Sequence, residues 1–392
     1  MTIQQEDISK KLVWEKTVKV EENSAYWNSL PKIKKGKKLP QKKPIVVELF
    51  CGCGGTSLGF EMAGFHIAFG GDIHAPSIET FQHNHPKSST ILGDIKKIKP
   101  AQILEVLGGR KVDVLIAGVP CQGFSLNNRK RHEQDDRNFL YKEFIRFVKK
   151  LQPKCIVVEN VSGMKSAGDF VEKIEKELSQ AGKMKVKSQL LFAPDYGVPQ
   201  KRQRLFFIGM KNQDFDFSKI KKTHGEGTKN KYVTIKEAIG DLPSLKKNES
   251  KTTYKKEPFS DYQKWARKTS KVDVIRLTNH RAPNHPATTI QKIKNTSPGS
   301  PMYSRYKQRI RLAWDGLSPT QVSGGIRPQF QLGHPQDNRG LTIRERCRIQ
   351  SFPDSFEVKG GMVQARVQTG NAVPPLLAKA IAKAIFKFLP QS

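Results

Sequence analysis

Short, largely apolar runs that alternate with helix-length stretches constrain this chain more than any other feature. From Ile45 onward, apolar runs at 45–50, 65–69, 112–119 and 155–158 alternate with helix-like stretches around 56–63, 75–84, 100–107, 139–151 and 169–181. A strand buried on both faces carries a continuous apolar run, whereas a half-exposed one alternates. The rhythm therefore predicts an α/β fold: a mostly parallel sheet with helices on both faces. A further run, Leu205-Phe206-Phe207-Ile208-Gly209, closes this region.

In such sheets ligands and chemistry collect beyond the C-terminal strand ends. Cys121 follows the 112–119 run, and Glu159 closes the run that begins at Cys155. A thiol nucleophile and a proton-donating carboxyl at one sheet edge suit attack on an electron-poor ring. The first run leads into Phe50-Cys51-Gly52-Cys53-Gly54-Gly55. Glycines at a strand-to-helix turn let a ligand approach the backbone and expose amide donors. Asp72 stands about twenty residues on, the spacing at which an acid holds a ribose, and Asp94 follows in Gly93-Asp94-Ile95. Gly-rich loop, acid and acid at successive strand ends describe a nucleoside pocket.

The formal charge of +33, from 69 Lys and Arg against 36 Asp and Glu, points to a polyanionic partner. Five cysteines at irregular spacing (51, 53, 121, 155, 347) argue against a disulfide framework and for a reducing compartment. Cys51 and Cys53 lack a second ligand pair, so no metal is expected, and His280, His285 and His334 form no metal set. Neither a signal peptide nor an apolar stretch of membrane-spanning length occurs, so a cytoplasmic location is expected.

Along the chain, residues 1–44 read as a basic, flexible tail, with seven lysines and no acid between Pro31 and Pro44. Residues 45–212 form the expected catalytic domain. Residues 213–338 break the rhythm, are rich in Lys, Ser, Thr, Asn and Pro, and read as a smaller loop-rich domain. Residues 339–361 are expected to connect, with Thr342 and Glu345 spaced as a capping box. Residues 362–392 end in an amphipathic helix that returns to the catalytic domain.

Taken in order, the blocks Phe50-x-Gly52-x-Gly54-Gly55, Asp72, Asp94, Gly118-Val119-Pro120-Cys121-Gln122, Asp136-Arg137-Asn138 with Leu140, Glu159-Asn160-Val161, Gln200-Lys201-Arg202-Gln203-Arg204, Arg344-Glu345 with Phe352-Pro353-Asp354, and Gly370-Asn371-Ala372-Val373-Pro374 carry a resemblance. The chain resembles the cytosine-C5 DNA methyltransferases of bacterial restriction–modification systems over roughly 45–209 and 339–386. The resemblance implies a Rossmann-like domain that uses S-adenosylmethionine and releases S-adenosylhomocysteine, and a target-recognition domain at 213–338. It implies cofactor contacts from Phe50, Gly52, Gly54, Gly55, Asp72, Ile73, Asp94, Ile95, Pro120, Leu140, Asn371 and Val373. At Ile73 many members carry an aromatic residue, so packing on adenine survives there without stacking.

By the same resemblance Cys121 attacks C6 of a flipped cytosine, Glu159 serves N3 and N4, Arg204 serves O2, and Arg202 supports Cys121 and the loop. Ser125, Arg129, Arg131 and Arg137 lie in a polar, basic stretch that suits a lid over the base. Gly324 and Gly325, with neighbouring side chains, are candidates for reading double-stranded DNA, and Lys292, Lys294, Arg305, Arg309 and Arg311 for gripping its backbone. A monomer acting beside an endonuclease of the same target is expected. A tRNA methyltransferase on this fold and a non-catalytic DNA-binding relative stand as alternatives. The intact set of Cys121, Glu159, Arg202 and Arg204 argues against the second.

Overall fold

The protein, seen in a computed structural model, is described here for residues 32–119, 140–166, 169–268, 276–304, 306–323 and 332–389. Its strands are β1 (Ile33–Lys34), β2 (Ile45–Leu49), β3 (His66–Asp72), β4 (Ser89–Leu92), β5 (Val114–Gly118), β6 (Cys155–Val161), β7 (Lys185–Phe192), β8 (Gln200–Lys201), β9 (Gln203–Met210) and β10 (Ser318–Pro319). Eight of them form one sheet in the order β1-β4-β3-β2-β5-β6-β9-β7. The stretch from β4 to β6 is parallel throughout. Antiparallel pairs flank it, β1 on β4 at one edge and β9 between β6 and β7 at the other. The chain winds outward from β2 through β3 to β4, then restarts on the other side at β5. Strand order thus reverses between β2 and β5, where a crevice opens beyond the carboxyl ends.

The apolar runs are continuous because both faces of the sheet are covered. Ile45, Val47, Leu49, Leu115, Ala117, Ile156 and Val158 belong to one core, and the alternate residues Val46, Val114, Ile116, Cys155 and Val157 to the other. Helices α1 (Gly55–Met62), α2 (Ala75–Asn84), α3 (Pro100–Leu107), α4 (Leu140–Leu151) and α5 (Asp169–Gly182) follow the strands in turn. Phe144, Phe147 and Val148 of α4 fill the first core. Phe60 of α1 and Phe81 of α2 fill the second.

The second body carries α6 (Ile235–Ile239), α7 (Asp261–Arg267) and α8 (Ala287–Lys294), and the chain ends through α9 (Ile343–Ile349), α10 (Met362–Asn371) and α11 (Pro375–Phe386). Leu377, Ile381 and Ile385 of α11 recur every four residues and join the second core of the sheet beside Phe60. The Thr342–Glu345 box forms as the sequence predicts: Thr342 Oγ1 accepts from the Glu345 amide at 3.1 Å, and Glu345 Oε2 accepts from the Thr342 amide at 2.8 Å.

A buried charge network ties α6, α7 and α9 together. Arg348 is fully buried, 2.6 Å from Asp354 and 3.3 Å from Asp241, which Arg267 also meets at 2.6 Å. Removing one partner of such a cluster leaves uncompensated buried charge. Arg348→Met is therefore expected to cost about 3–5 kcal/mol of stability, read from the urea midpoint at an unchanged slope. A loss under about 1 kcal/mol would mean that Arg267 and Arg344 compensate the two acids by themselves.

Residues 32–44 differ from a free tail. Ile33 pairs with Ile91 and Lys34 with Thr90, the Lys37 amide donates to the Lys87 carbonyl at 3.0 Å, and Arg110 donates to the carbonyls of Pro40 and Lys43. Ile33 and Leu39 pack on the first core. The outer edge of β4 offers unpaired backbone groups, and β1 covers them. Residues 1–31 lie outside the described residues.

Candidate active site

The antiparallel course of β9 builds the charged part of the site. β6 ends where β9 begins, so Val161 of β6 lies opposite Arg204 and Glu159 lies opposite Phe206. Two residues apart on one β9 face, Arg204 reaches back over Glu159. Arg204 Nε stands 2.9 Å from Glu159 Oε1, and both side chains are only 13% exposed. Burial pulls the Arg204 guanidinium below its usual range, and Glu159 works against that shift. On its other side Glu159 is in register with Gly118 of β5, where an added Cβ would lie 3.8 Å from Glu159 Oε2. The carboxylate thus stands over the end of the strand that leads toward Cys121. Asn160 Nδ2 donates to the Val119 carbonyl at 3.4 Å and holds that strand end to β6.

Arg202 has a different role from Arg204. It is fully buried, with Nη1 donating to the Gln321 carbonyl at 3.0 Å and Nη2 to the carbonyls of Gly370 at 3.0 Å and Asn371 at 3.3 Å. Its Nε is buried without a partner among the described residues. Burial and the neighbouring Arg204 lower its pKa. Arg202 therefore works as a strut between the second body and the end of α10. Gln200 Oε1 accepts from the Gln321 amide at 2.8 Å, and β8 pairs with β10 in parallel register. At Gly370 a Cβ would meet the backbone of Val322 and Ser323 at 2.3 Å, so only glycine fits there. Gly370 and Gln200 both stand in the blocks that carry the resemblance, whereas Gln321 lies in the loop-rich stretch where no motif marks it.

The opposite wall of the crevice is the glycine loop. Phe50, Gly52 and Gly54 all take positive φ (56°, 53° and 93°), and the space where a Gly52 Cβ would stand is open. Gly55 faces the Val373 carbonyl, which a Cβ would meet at 2.3 Å, so the far end of the chain closes on the loop. Asp72, at the end of β3, accepts from the Gly52 amide and the His74 amide, each at 2.8 Å. Burial raises its pKa against these hydrogen bonds. Each carboxylate oxygen uses one lone pair in this way and keeps another for a ligand hydroxyl. Ile73 is 50% exposed, a large apolar side chain left uncovered at the mouth. Asp94 accepts from the Lys96 amide at 2.9 Å, while Ile95 is buried in the first core and Leu140 packs against that core. Asn371 is exposed at the end of α10, and Val373 is buried. Behind the loop Glu48 is buried, bonded by Ser57, and burial raises its pKa to about 7.

The sequence-predicted site residues thus divide. Glu159, Arg204, Phe50, Gly52, Gly54, Gly55, Asp72, Ile73, Asp94 and Val373 surround the crevice. Pro120, Cys121, Ser125, Arg129, Arg131, Arg137, Arg305, Gly324 and Gly325 lie outside the described residues. Arg311 is no backbone grip: it is buried, and its guanidinium donates to the carbonyls of Ile293, Thr296, His334 and Gln336. Lys292 and Arg309 instead sit over the ring of Tyr303. His280, His285 and His334 are structural. Nε2 of His285 accepts from the Gly340 amide, and burial lowers both His285 and His334 to about 4. Among the described residues no three His, Cys, Asp or Glu side chains converge on a metal position, and no helix is long and apolar enough to cross a membrane.

Residues 45–387 match the family described as C-5 cytosine-specific DNA methylase. The chain is 36% identical over 355 residues to the type II methyltransferase M1.HphI of Haemophilus parahaemolyticus, covering 87% of this chain and 86% of that protein. It is 36% identical over 374 residues to M.DdeI of Desulfomicrobium norvegicum, covering 87% and 88%. A solved structure described as a candidate DNA modification methyltransferase encoded within an Escherichia coli prophage superposes with a TM-score of 0.73 at 27% identity, covering 88% of this chain and 99% of that one. DNMT2 of Spodoptera frugiperda, at a TM-score of 0.59 and 15% identity, shares the fold.

Proposed function

The chain belongs to the C-5 cytosine-specific DNA methylase family and is a DNA (cytosine-5-)-methyltransferase of restriction–modification type, and on that premise we propose that it acts on a flipped cytosine through a covalent bond from Cys121 to C6. The observation that carries this reading is the buried Glu159–Arg204 pair, 2.9 Å apart at the end of the strand that leads toward Cys121. The cofactor contacts follow from the crevice. Asp72 offers its remaining lone pairs to ribose hydroxyls, Ile73 its exposed apolar face to adenine, and the Gly52 region its open space. S-adenosylmethionine, bound there, supplies a methyl cation equivalent to C5.

Carbon C5 of cytosine is too poor a nucleophile to accept that group unaided. A Cys121 thiolate adding at C6 pushes an electron pair toward C5 and makes the ring enamine-like. Charge that accumulates at N3 and O2 meets Glu159 and Arg204, both held in a site that excludes most water. After C5 is alkylated its proton passes to water, the C6–S bond breaks, and the thiolate returns. Geometry of this kind requires the base to leave the stack, which the basic residues Arg129, Arg131 and Arg137 assist by holding phosphates. One chain supplies every residue named, so it acts as a monomer, beside an endonuclease of the same target, where the cell keeps its DNA.

Bisulfite sequencing of DNA from cells expressing the chain tests this. Cytosines resistant to conversion are expected at one position of one short motif and nowhere else. Labelled methyl groups found in tRNA and absent from duplex DNA would overturn the reading.

A further inference from the structure

The family match begins at residue 45, and the chain carries an ordered feature ahead of it. Lys32, Lys34, Lys35, Lys37, Lys38, Lys42 and Lys43 are all exposed, while Ile33 and Leu39 between them turn inward onto the first core. Gly36 passes so close to β4 that a Cβ would meet the Lys87 carbonyl oxygen at 2.4 Å. The lysines are therefore mounted on a fixed edge and do not trail from a free chain. Glu105 neutralises Lys35 at 3.1 Å, and among the described residues none of the other six makes an ion pair. Exposed Lys96, Lys97 and Lys99 follow β4 and extend the same charge.

Direction makes this edge significant. Because β1 runs antiparallel to β4 with Ile33 opposite Ile91, Lys32 lies at the carboxyl end of β4. That is the sheet edge that carries Asp72, Asp94 and Glu159, and Lys96, Lys97 and Lys99 stand just beyond it; Lys37, whose amide bonds Lys87 ahead of β4, and the lysines after it run toward the amino ends of the strands. Between β6 and β1 there are five strand steps, or about 24 Å at ~4.8 Å per step. Duplex DNA advances about 3.4 Å per base pair, so along a duplex laid across these strand ends from β6 toward β1 the lysine edge falls about seven base pairs from a cytosine held at Glu159.

We propose that the β1 lysine edge binds phosphates of duplex DNA flanking the methylated site, outside the recognised sequence. The proposal rests on duplex DNA being the substrate, and its test separates the two readings. The triple variant Lys32→Gln, Lys34→Gln and Lys99→Gln changes exposed side chains only. On a duplex of about 30 base pairs with the target at its centre, its Kd is expected to rise about tenfold or more in dilute salt. The slope of log K against log salt is expected to fall by two units or more, at about 0.9 per lost phosphate contact. On a duplex of about 12 base pairs, too short to reach the edge, variant and wild type are expected to bind alike, and kcat at saturating DNA is expected to match. Unchanged affinity on the long duplex, or an equal loss on both, overturns the proposal. Failure of the wild-type protein to methylate either duplex would instead overturn the function on which it rests.

Discussion

Cys121→Ala is expected to lower methyl transfer by about 10⁴-fold or more, the order reached when a covalent nucleophile is lost, while binding of the target duplex persists. The reason lies in the ring. Without sulfur at C6 no electron pair is available at C5, and the Glu159–Arg204 pair stabilises a charge that no longer forms. Binding draws on phosphate and base-edge contacts spread over the protein, none of which needs the thiol. The check is single-turnover transfer of labelled methyl groups alongside a gel-shift titration. A duplex with fluorine at C5 of the target sharpens it, because the missing proton prevents release of the thiolate. Wild type is then expected to remain joined to the DNA on a denaturing gel, and Cys121→Ala to leave it free. Turnover retained within about tenfold by the alanine variant would remove covalent catalysis from the mechanism.

The parallel centre of the sheet is readable because β2, β3, β5 and β6 are buried on both faces and so appear as apolar runs with few polar interruptions. β7 was not legible for the opposite reason. It is an edge strand whose sequence, Lys-Val-Lys-Ser-Gln-Leu-Leu-Phe, alternates between exposed and buried positions. β4 is only four residues long and offers too short a pattern. The lysine stretch 32–44 misled for a physical reason of its own. Its composition is that of a solvated chain, yet two apolar residues and one glycine suffice to seat it against a bare sheet edge.

The site divides along similar lines. Glu159 and the glycine loop were visible because strand ends locate them. Arg204 needed the antiparallel turn of β9 before it could meet Glu159, and no spacing in the sequence announces that turn. The spacing of Asp72 marks it as a candidate ribose ligand, and the fold shows it fastening the Gly52 and His74 amides. Arg202 and Arg204 are two residues apart, and their spacing alone does not separate the supporting role from the one at the ring that the resemblance implies. In the fold one is a strut to Gln321, Gly370 and Asn371, and the other faces the crevice.

That difference shapes the second large effect expected. Glu159→Gln keeps the size of the side chain and removes its charge and its capacity to hold a proton for the ring. Transfer is expected to fall by about 10²–10⁴-fold, with DNA affinity nearly unchanged. Arg204→Met removes the donor proposed for O2 and also strips Glu159 of its counter-charge, so its loss is expected to be of similar order. The two side chains touch at 2.9 Å, and groups in direct contact do not contribute independently. The double variant Glu159→Gln with Arg204→Met is therefore expected to transfer methyl groups only slightly more slowly than the worse single variant. Rates measured across the four proteins at saturating DNA and cofactor give the coupling directly. A double variant slower by the full product of the single losses would mean that the pair acts on the ring as two separate groups, and that the buried contact between them has no part in stabilising its charge.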